Sequence, residues 1–250
     1  MAVIGIMSAM HEELAAVLQA MPDEQPVRVA GRDFWVGHWQ GHDVVAVLSR
    51  IGKVAAATTA TVLLERFKVS AVVFTGAAGG LAANAQVGDV VVATSFVQHD
   101  MDASPLFPKH EVPLYGRARF DTDPTLSQAL VAAATQVLSD PAQHLGAQAI
   151  ADFHLHAPCV HQGLIVSGDR FVSTTTECQA LQQCLPDALA VEMEGAAVAQ
   201  VCLDYGVPFA AVRTISDRAD DDAHIDFNRF ICDVASRYSL AVLSRWLMDR

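Results

Sequence analysis

Seven short runs of apolar residues recur along the chain: Val3–Met7, Val44–Leu48, Ala71–Gly76, Val90–Thr94, Gly163–Gly168, Ala188–Met193 and Pro208–Ile215. Within each run the apolar residues are continuous and do not alternate with polar ones. A strand with one wet face alternates, whereas a strand covered on both faces does not, so these runs are expected as strands of a sheet sandwiched between helices. Helical patterns lie between them. "KVAAATTATVLLERF" (Lys53–Phe67) is one; "DPTLSQALVAAATQVL" carries an Asp–Pro start signal. A last helix is expected after Asp226, with Phe227, Phe230, Ile231, Val234, Ala241 and Val242 on one apolar face. The alternation predicts an α/β fold of three layers, αβα, around a central sheet.

No repeat, low-complexity tract or linker interrupts the pattern, so residues 1–250 are expected to form one domain. Three segments read as irregular. The turn-rich stretch before Val44 is expected to pair with it as a hairpin. Gln98–Asp121, with its prolines, is expected as a long loop, and Asp152–Gln162 as another. The net charge of -12, with 16 basic residues in no long run, argues against a nucleic-acid partner. The N-terminal apolar run is too short for a membrane span and lacks a signal peptide's basic flank. Five cysteines without a CxxC pair suit reduced thiols in the cytoplasm.

Ligands of such sheets gather at the carboxyl ends of the strands. There the sequence places "SAMHEEL", the glycine-rich "GAAGG", "DRFVST", "EMEG" and "SDRADDD". Four of these five places carry a carboxylate, and no Ser–His–Asp set accompanies them. Convergent carboxylates without a nucleophile point to acid–base chemistry or polyol binding. Each has a plainer structural role: Glu13 as a first-turn helix acid, "GAAGG" as a tight strand exit, "SDRADDD" as a solvated turn, and the "EME" glutamates as an ion pair with Arg213. His154, His156, Cys159 and His161 invite comparison with a zinc site, but the spacing lacks a second fixed pair, and a variable loop is the preferred reading. His99, Asp100 and Asp102 are read as a loop anchor or a dimer contact.

Taken in order, "GIMSAMHEEL", "SRIGKVAAATTATVLLERF", "FTGAAGGL", "VGDVVVAT", "IVSGDRFV", "AVEMEGAAVAQVC" and "VPFAAVRTISDRAD" resemble the 5'-methylthioadenosine/S-adenosylhomocysteine nucleosidases of the purine nucleoside phosphorylase superfamily. The resemblance covers most of the chain and is weakest at 98–121 and 140–162. It implies a nucleoside-phosphorylase-like fold with a mixed sheet, a homodimer, and hydrolysis of an N-glycosidic bond with release of adenine. It also implies the roles of residues. Asp217 is the general acid toward purine N7 and must hold its proton until the base leaves; Ser216 supports it. Glu13 is the base that activates water, and Arg213 helps hold that water. Glu194 binds the ribose hydroxyls over Met193, while Glu192 holds the site or meets the sugar indirectly. Phe171 stacks on the purine and the Val172 backbone reads its edge. Ile51 and Ala77 join the substrate-binding set, Ala77 standing where many relatives carry serine. Leu106, Phe107 and Pro113 are candidates for an apolar 5' pocket, frequently built across a dimer interface in the family. No metal or cofactor is implied. Two other readings stay open: a phosphorylase, with Arg50 as one phosphate contact, and a nucleoside-binding protein without turnover. Futalosine-type nucleosides also remain open as substrates.

Overall fold

The computed structural model describes residues 2–219 and 227–250. The chain starts with β1 (Ile4–Ser8), α1 (His11–Gln19) and the strands β2 (Gln25–Val29), β3 (Arg32–Trp39) and β4 (His42–Leu48). Then come α2 (Lys53–Phe67), β5 (Ala71–Gly80), β6 (Val90–Gln98), β7 (Arg119–Asp121), α3 (Pro124–Leu138), α4 (Pro141–Leu145) and α5 (Ala147–Asp152). The remainder is β8 (Val160–Ser167), α6 (Thr175–Cys184), β9 (Ala188–Glu192), α7 (Gly195–Tyr205), β10 (Phe209–Asp217), α8 (Phe227–Phe230) and α9 (Ser236–Met248).

All seven apolar runs are strands, and their continuity has the expected cause. On β4, Val44 and Ala46 join one hydrophobic cluster while Val45 and Val47 join another on the opposite face. Val73 and its neighbours Val72 and Phe74 divide in the same way on β5. One face packs on α1, α3 and α9 through Leu14, Val17, Leu130, Val242 and Trp246. The other packs on α2 and α7 through Ala56, Ala60, Leu63, Val198 and Cys202. Each Val or Leu withdrawn from water contributes about 1.5–3 kcal/mol, and the double burial of every central strand is what fixes the layering.

The sheet is mixed. From one edge it runs β2, β3, β4, β1, β5, with β2–β3 and β3–β4 antiparallel and β4–β1 and β1–β5 parallel. Beyond β5 it curls, because β10 pairs with both β5 and β6, and β9 with both β8 and β5. The five strands β5, β10, β6, β8 and β9 therefore hydrogen-bond in a closed ring. This curl brings the ends of β9 and β10 over the glycine-rich end of β5, with Gly76 opposite Arg213 and Gly79 opposite both Asp217 and Val191.

Helix ends follow local chemistry. Asp123 accepts the Leu126 N–H at 2.8 Å to open α3, with Pro124 behind it. Lys68, left-handed at φ 51, closes α2. The segment before Val44 forms the expected antiparallel pairing. Three expectations are corrected. The loop expected over Asp152–Gln162 is shorter, because α5 holds Asp152 and β8 starts at Val160. The 98–121 loop ends in a short strand, β7, added to β6, and the final helix is not uniform. A five-residue π turn, Ile231–Ala235, separates α8 from α9; Phe230, Ile231, Val234 and Val242 still lie buried as the periodicity requires. Asp226 and the acids 220–222 of "SDRADDD" lie outside the described residues. Among the described residues no helix is long and apolar enough to cross a membrane.

Candidate active site

A cleft of about 770 Å³, its open mouth included, lies over the curled end of the sheet. Its walls include Glu13, Ile51, Ala77, Phe171, Val172, Met193, Glu194, Arg213, Ser216 and Asp217. A cleft of that size suits a small organic ligand. Its floor is acidic and buried.

Glu13, 1% exposed, sits in the first turn of α1. Its Oε2 accepts the N–H groups of Ala9 and Met10, each at 3.1 Å, which is the helix-end role expected of a first-turn acid. Its Oε1 also reaches across to the Ala77 N–H at 3.0 Å. One carboxylate thus joins the exit of β1 to the turn of β5. Burial pushes its pKa up, opposed by Arg213 and by the three backbone donors. The glycines of "GAAGG" make room for carboxylates: a Cβ on Gly76 would stand 2.9 Å from Glu13 Oε1, and one on Gly79 2.9 Å from Asp217 Oδ1.

The "EME" glutamates divide the labour. Glu192 is an anchor: its oxygens accept Arg213 Nη2 at 2.9 Å, the Gly195 N–H at 2.9 Å, the Glu194 N–H at 3.2 Å and the Ser167 hydroxyl. The Ser167 oxygen in turn accepts the Ala196 N–H at 2.8 Å, so the start of α7 is gathered around this one carboxylate. Glu194 faces the cleft, and among the described residues it accepts only the Gly52 N–H, at 2.8 Å to Oε1. Burial, and next the charge of Glu192, raise its pKa to about 8.

Arg213, 1% exposed, is the cation beneath these acids. Its Nη1 donates to the carbonyls of Phe74 and Val212, at 2.9 and 3.2 Å, and its guanidinium lies 4.1 Å from the Phe74 ring centroid. A buried arginine with its donors matched in this way is rigid. At the end of β10 a bulge at Ser216 interrupts the register between Ile215 and Asp217. Asp217 accepts the Ala219 N–H at 2.8 Å and the Ser216 hydroxyl at 2.7 Å.

Around this floor, Phe171 is 45% exposed and packs edge-on against Phe227, with centroids 5.9 Å apart. Phe227 also lines the cleft. The sequence shows it only as one position of an apolar helix face, and nothing there marks it for a ligand. The donors Ala9, Met10 and Gly52 were equally hidden, since they act through main-chain N–H groups.

The structure does not bring Phe107 and Pro113 to this cleft in the same chain. Their loop is tied elsewhere: the Tyr115 hydroxyl donates to Asp204 on α7, and its ring packs on Phe120. Leu106 and Leu114 are left 84% and 92% exposed. Asp100 does anchor the loop, accepting Lys53 Nζ at 2.6 Å and the Asp169 N–H at 2.9 Å. Arg50 donates to the Gly31 carbonyl and is not among the lining residues.

The model of the phosphorylase superfamily matches residues 3–247. The chain belongs to that superfamily. It is similar to a solved 5'-methylthioadenosine/S-adenosylhomocysteine nucleosidase from S. pneumoniae bound to a transition-state inhibitor, at 34% identity over 98% of each chain and a TM-score of 0.85. The Neisseria meningitidis enzyme of the same name, in complex with methylthio-immucillin-A, matches at 31% identity over the whole of both chains, again at 0.85. A Helicobacter pylori futalosine hydrolase matches at 30% identity over 100% of this chain and 98% of its own, with a TM-score of 0.84. Within the superfamily the mixed sheet and its covering helices are shared, and the cleft lies at the curl of that sheet.

Proposed function

We propose that the chain, working as one domain, is an N-glycosidic hydrolase that releases adenine from 5'-methylthioadenosine, S-adenosylhomocysteine or a related 6-aminopurine nucleoside. The observation that carries this reading is the seat of Glu13. A helix N-terminus beside a glycine-rich turn is a natural anion site, and a phosphorylase needs one for its phosphate. Here the N–H groups of Ala9, Met10 and Ala77 are already committed to the Glu13 carboxylate. A phosphate would have to displace that carboxylate or lie against it, whereas neutral water meets no such repulsion.

The chemistry follows from these positions. Asp217, supported by Ser216, gives a proton to purine N7 while the C1'–N9 bond breaks, and the bonding electrons return to a neutral base. Glu194 holds the sugar hydroxyls beneath the ribose on which positive charge grows, and it acts there in its ionised form, which rising pH favours toward about 8. Water attacks C1' and passes its proton to Glu13, whose affinity for protons is raised by burial. Arg213 pairs with Glu192, and its positive charge opposes the rise in proton affinity of Glu13 and Glu194. Phe171 covers the purine, Val172 reads its edge, and Met193, Ile51 and Ala77 complete the pocket.

The relatives are named for both thioether nucleosides and futalosine, so the 5' group is the open choice. An apolar 5' wall from Phe107 and Pro113 belongs with a homodimer in which a second copy supplies the loop; the exposed Leu106 and Leu114 support such self-association. Five free cysteines support a cytoplasmic location. The test is adenine release from 5'-methylthioadenosine in buffer stripped of phosphate. Steady turnover is expected; binding without turnover would make the chain a nucleoside-binding protein.

A further inference from the structure

Away from the cleft, the loop before β8 meets the start of β6. Cys159 and His161, separated by one residue, turn toward Asp89. Cys159 Sγ lies 3.3 Å from His161 Nε2, and that nitrogen lies 2.8 Å from Asp89 Oδ2. The three ligand atoms all fall within 4.8 Å of one another. His154 and His156, which the sequence places beside Cys159, are not part of this group.

We propose that Asp89, Cys159 and His161 bind a divalent transition cation of the zinc class. Geometry comes first. Two ligands at about 2.0–2.3 Å from a tetrahedral ion stand about 3.3–3.6 Å apart. The sulfur–nitrogen separation already meets that spacing, and the nitrogen–oxygen pair needs to open by about half an ångström. The donors are also held in place. Asp89 accepts the Cys159 N–H at 2.8 Å through Oδ1 and the Gln86 N–H at 2.8 Å through Oδ2, and the Cys159 carbonyl accepts the Val90 N–H at 3.0 Å.

Charge is the second argument. Asp89 is 3% exposed, and its one ion-pair partner among the described residues is His161. A divalent ion balances one carboxylate and one thiolate, and its binding releases the thiol proton. Mixed sulfur, nitrogen and oxygen donors select zinc-class ions over magnesium or calcium. Cys159 is exposed, so the remaining coordination position opens to solvent. The site ties β6 to β8 beside β10, since Ile215 donates to the Asp89 carbonyl at 2.8 Å. It takes no part in the proposed hydrolysis.

The test is titration of the chelator-stripped full chain with cobalt(II), followed by zinc(II). One cobalt per chain is expected, with a thiolate-to-metal absorption band that zinc abolishes, and zinc should raise the melting temperature. Cys159→Ser and His161→Ala should each lose both effects while adenine release is unchanged. Asp89 is left intact because its carboxylate also holds two backbone N–H groups. Absence of the band, its persistence in Cys159→Ser through another thiol, or an equal thermal shift with magnesium would each overturn the proposal.

Discussion

Glu192→Gln separates anchoring from substrate contact. The carboxylate pairs with Arg213 at 2.9 Å, where both side chains are 2–3% exposed, and every other contact it makes is with a donor. The amide keeps the shape but turns one acceptor into a donor facing donors, and it leaves the guanidinium without its counter-ion. Removing one partner of a buried pair costs about 3–5 kcal/mol. Part of that is returned, because the Glu192 charge also strains Glu194. A net loss of about 2–4 kcal/mol is expected, which for a chain of this length lowers the melting temperature by roughly 5–15 °C. Urea unfolding with an unchanged slope, alongside thermal melts, reads it directly. Turnover should fall as well, because Arg213 and the start of α7 lose their common anchor. A stability loss under about 1 kcal/mol would refute the assignment of Glu192 as the structural counter-ion.

The other predictions concern its neighbours. Glu194→Gln should cut turnover with little cost in stability near neutrality. With a pKa of about 8 against an ordinary 4.5, Glu194 is protonated in the folded state and ionised in the unfolded one between those values. Stability therefore falls by about 1.4 kcal/mol per pH unit across that window as pH rises. The variant lacks this slope, so its melting temperature should gain on the parent's from about pH 5 to about pH 8; parallel curves would contradict the assignment. Gly76→Ala drives a Cβ into the Glu13 carboxylate at 2.9 Å and should lower kcat by about 10²-fold with KM nearly unchanged. Asp217→Asn and Glu13→Gln should each reduce adenine release by at least about 10²-fold with the fold intact by circular dichroism, and near-parent activity in either removes that residue from the mechanism.

Much of this was legible because double burial writes itself into sequence. Val44 to Leu48 and Ala71 to Phe74 read as strands covered on both faces, and Asp123–Pro124 marks the start of its helix. The acids at strand ends were equally visible, since carboxylates at apolar junctions stand out. Less visible was what divides Glu192 from Glu194, two residues apart. That division comes from Ser167, Gly195 and Arg213, which are brought together by the curl of the sheet. α6 gave little periodic signal because it buries only Cys178. The π turn in the last helix left the apolar face intact, so the spacing alone could not reveal it; the structure offers no local cause for it. The grouping of Cys159 and His161 with Asp89, about seventy positions earlier, rests on β6–β8 pairing and has no local signature.

The most direct measurement is the sugar product formed from 5'-methylthioadenosine in the presence of excess inorganic phosphate. With Glu13 filling the anion seat, the account predicts free methylthioribose alone, at a rate that phosphate does not change. Formation of the sugar 1-phosphate, or a rate that rises with phosphate, would contradict it.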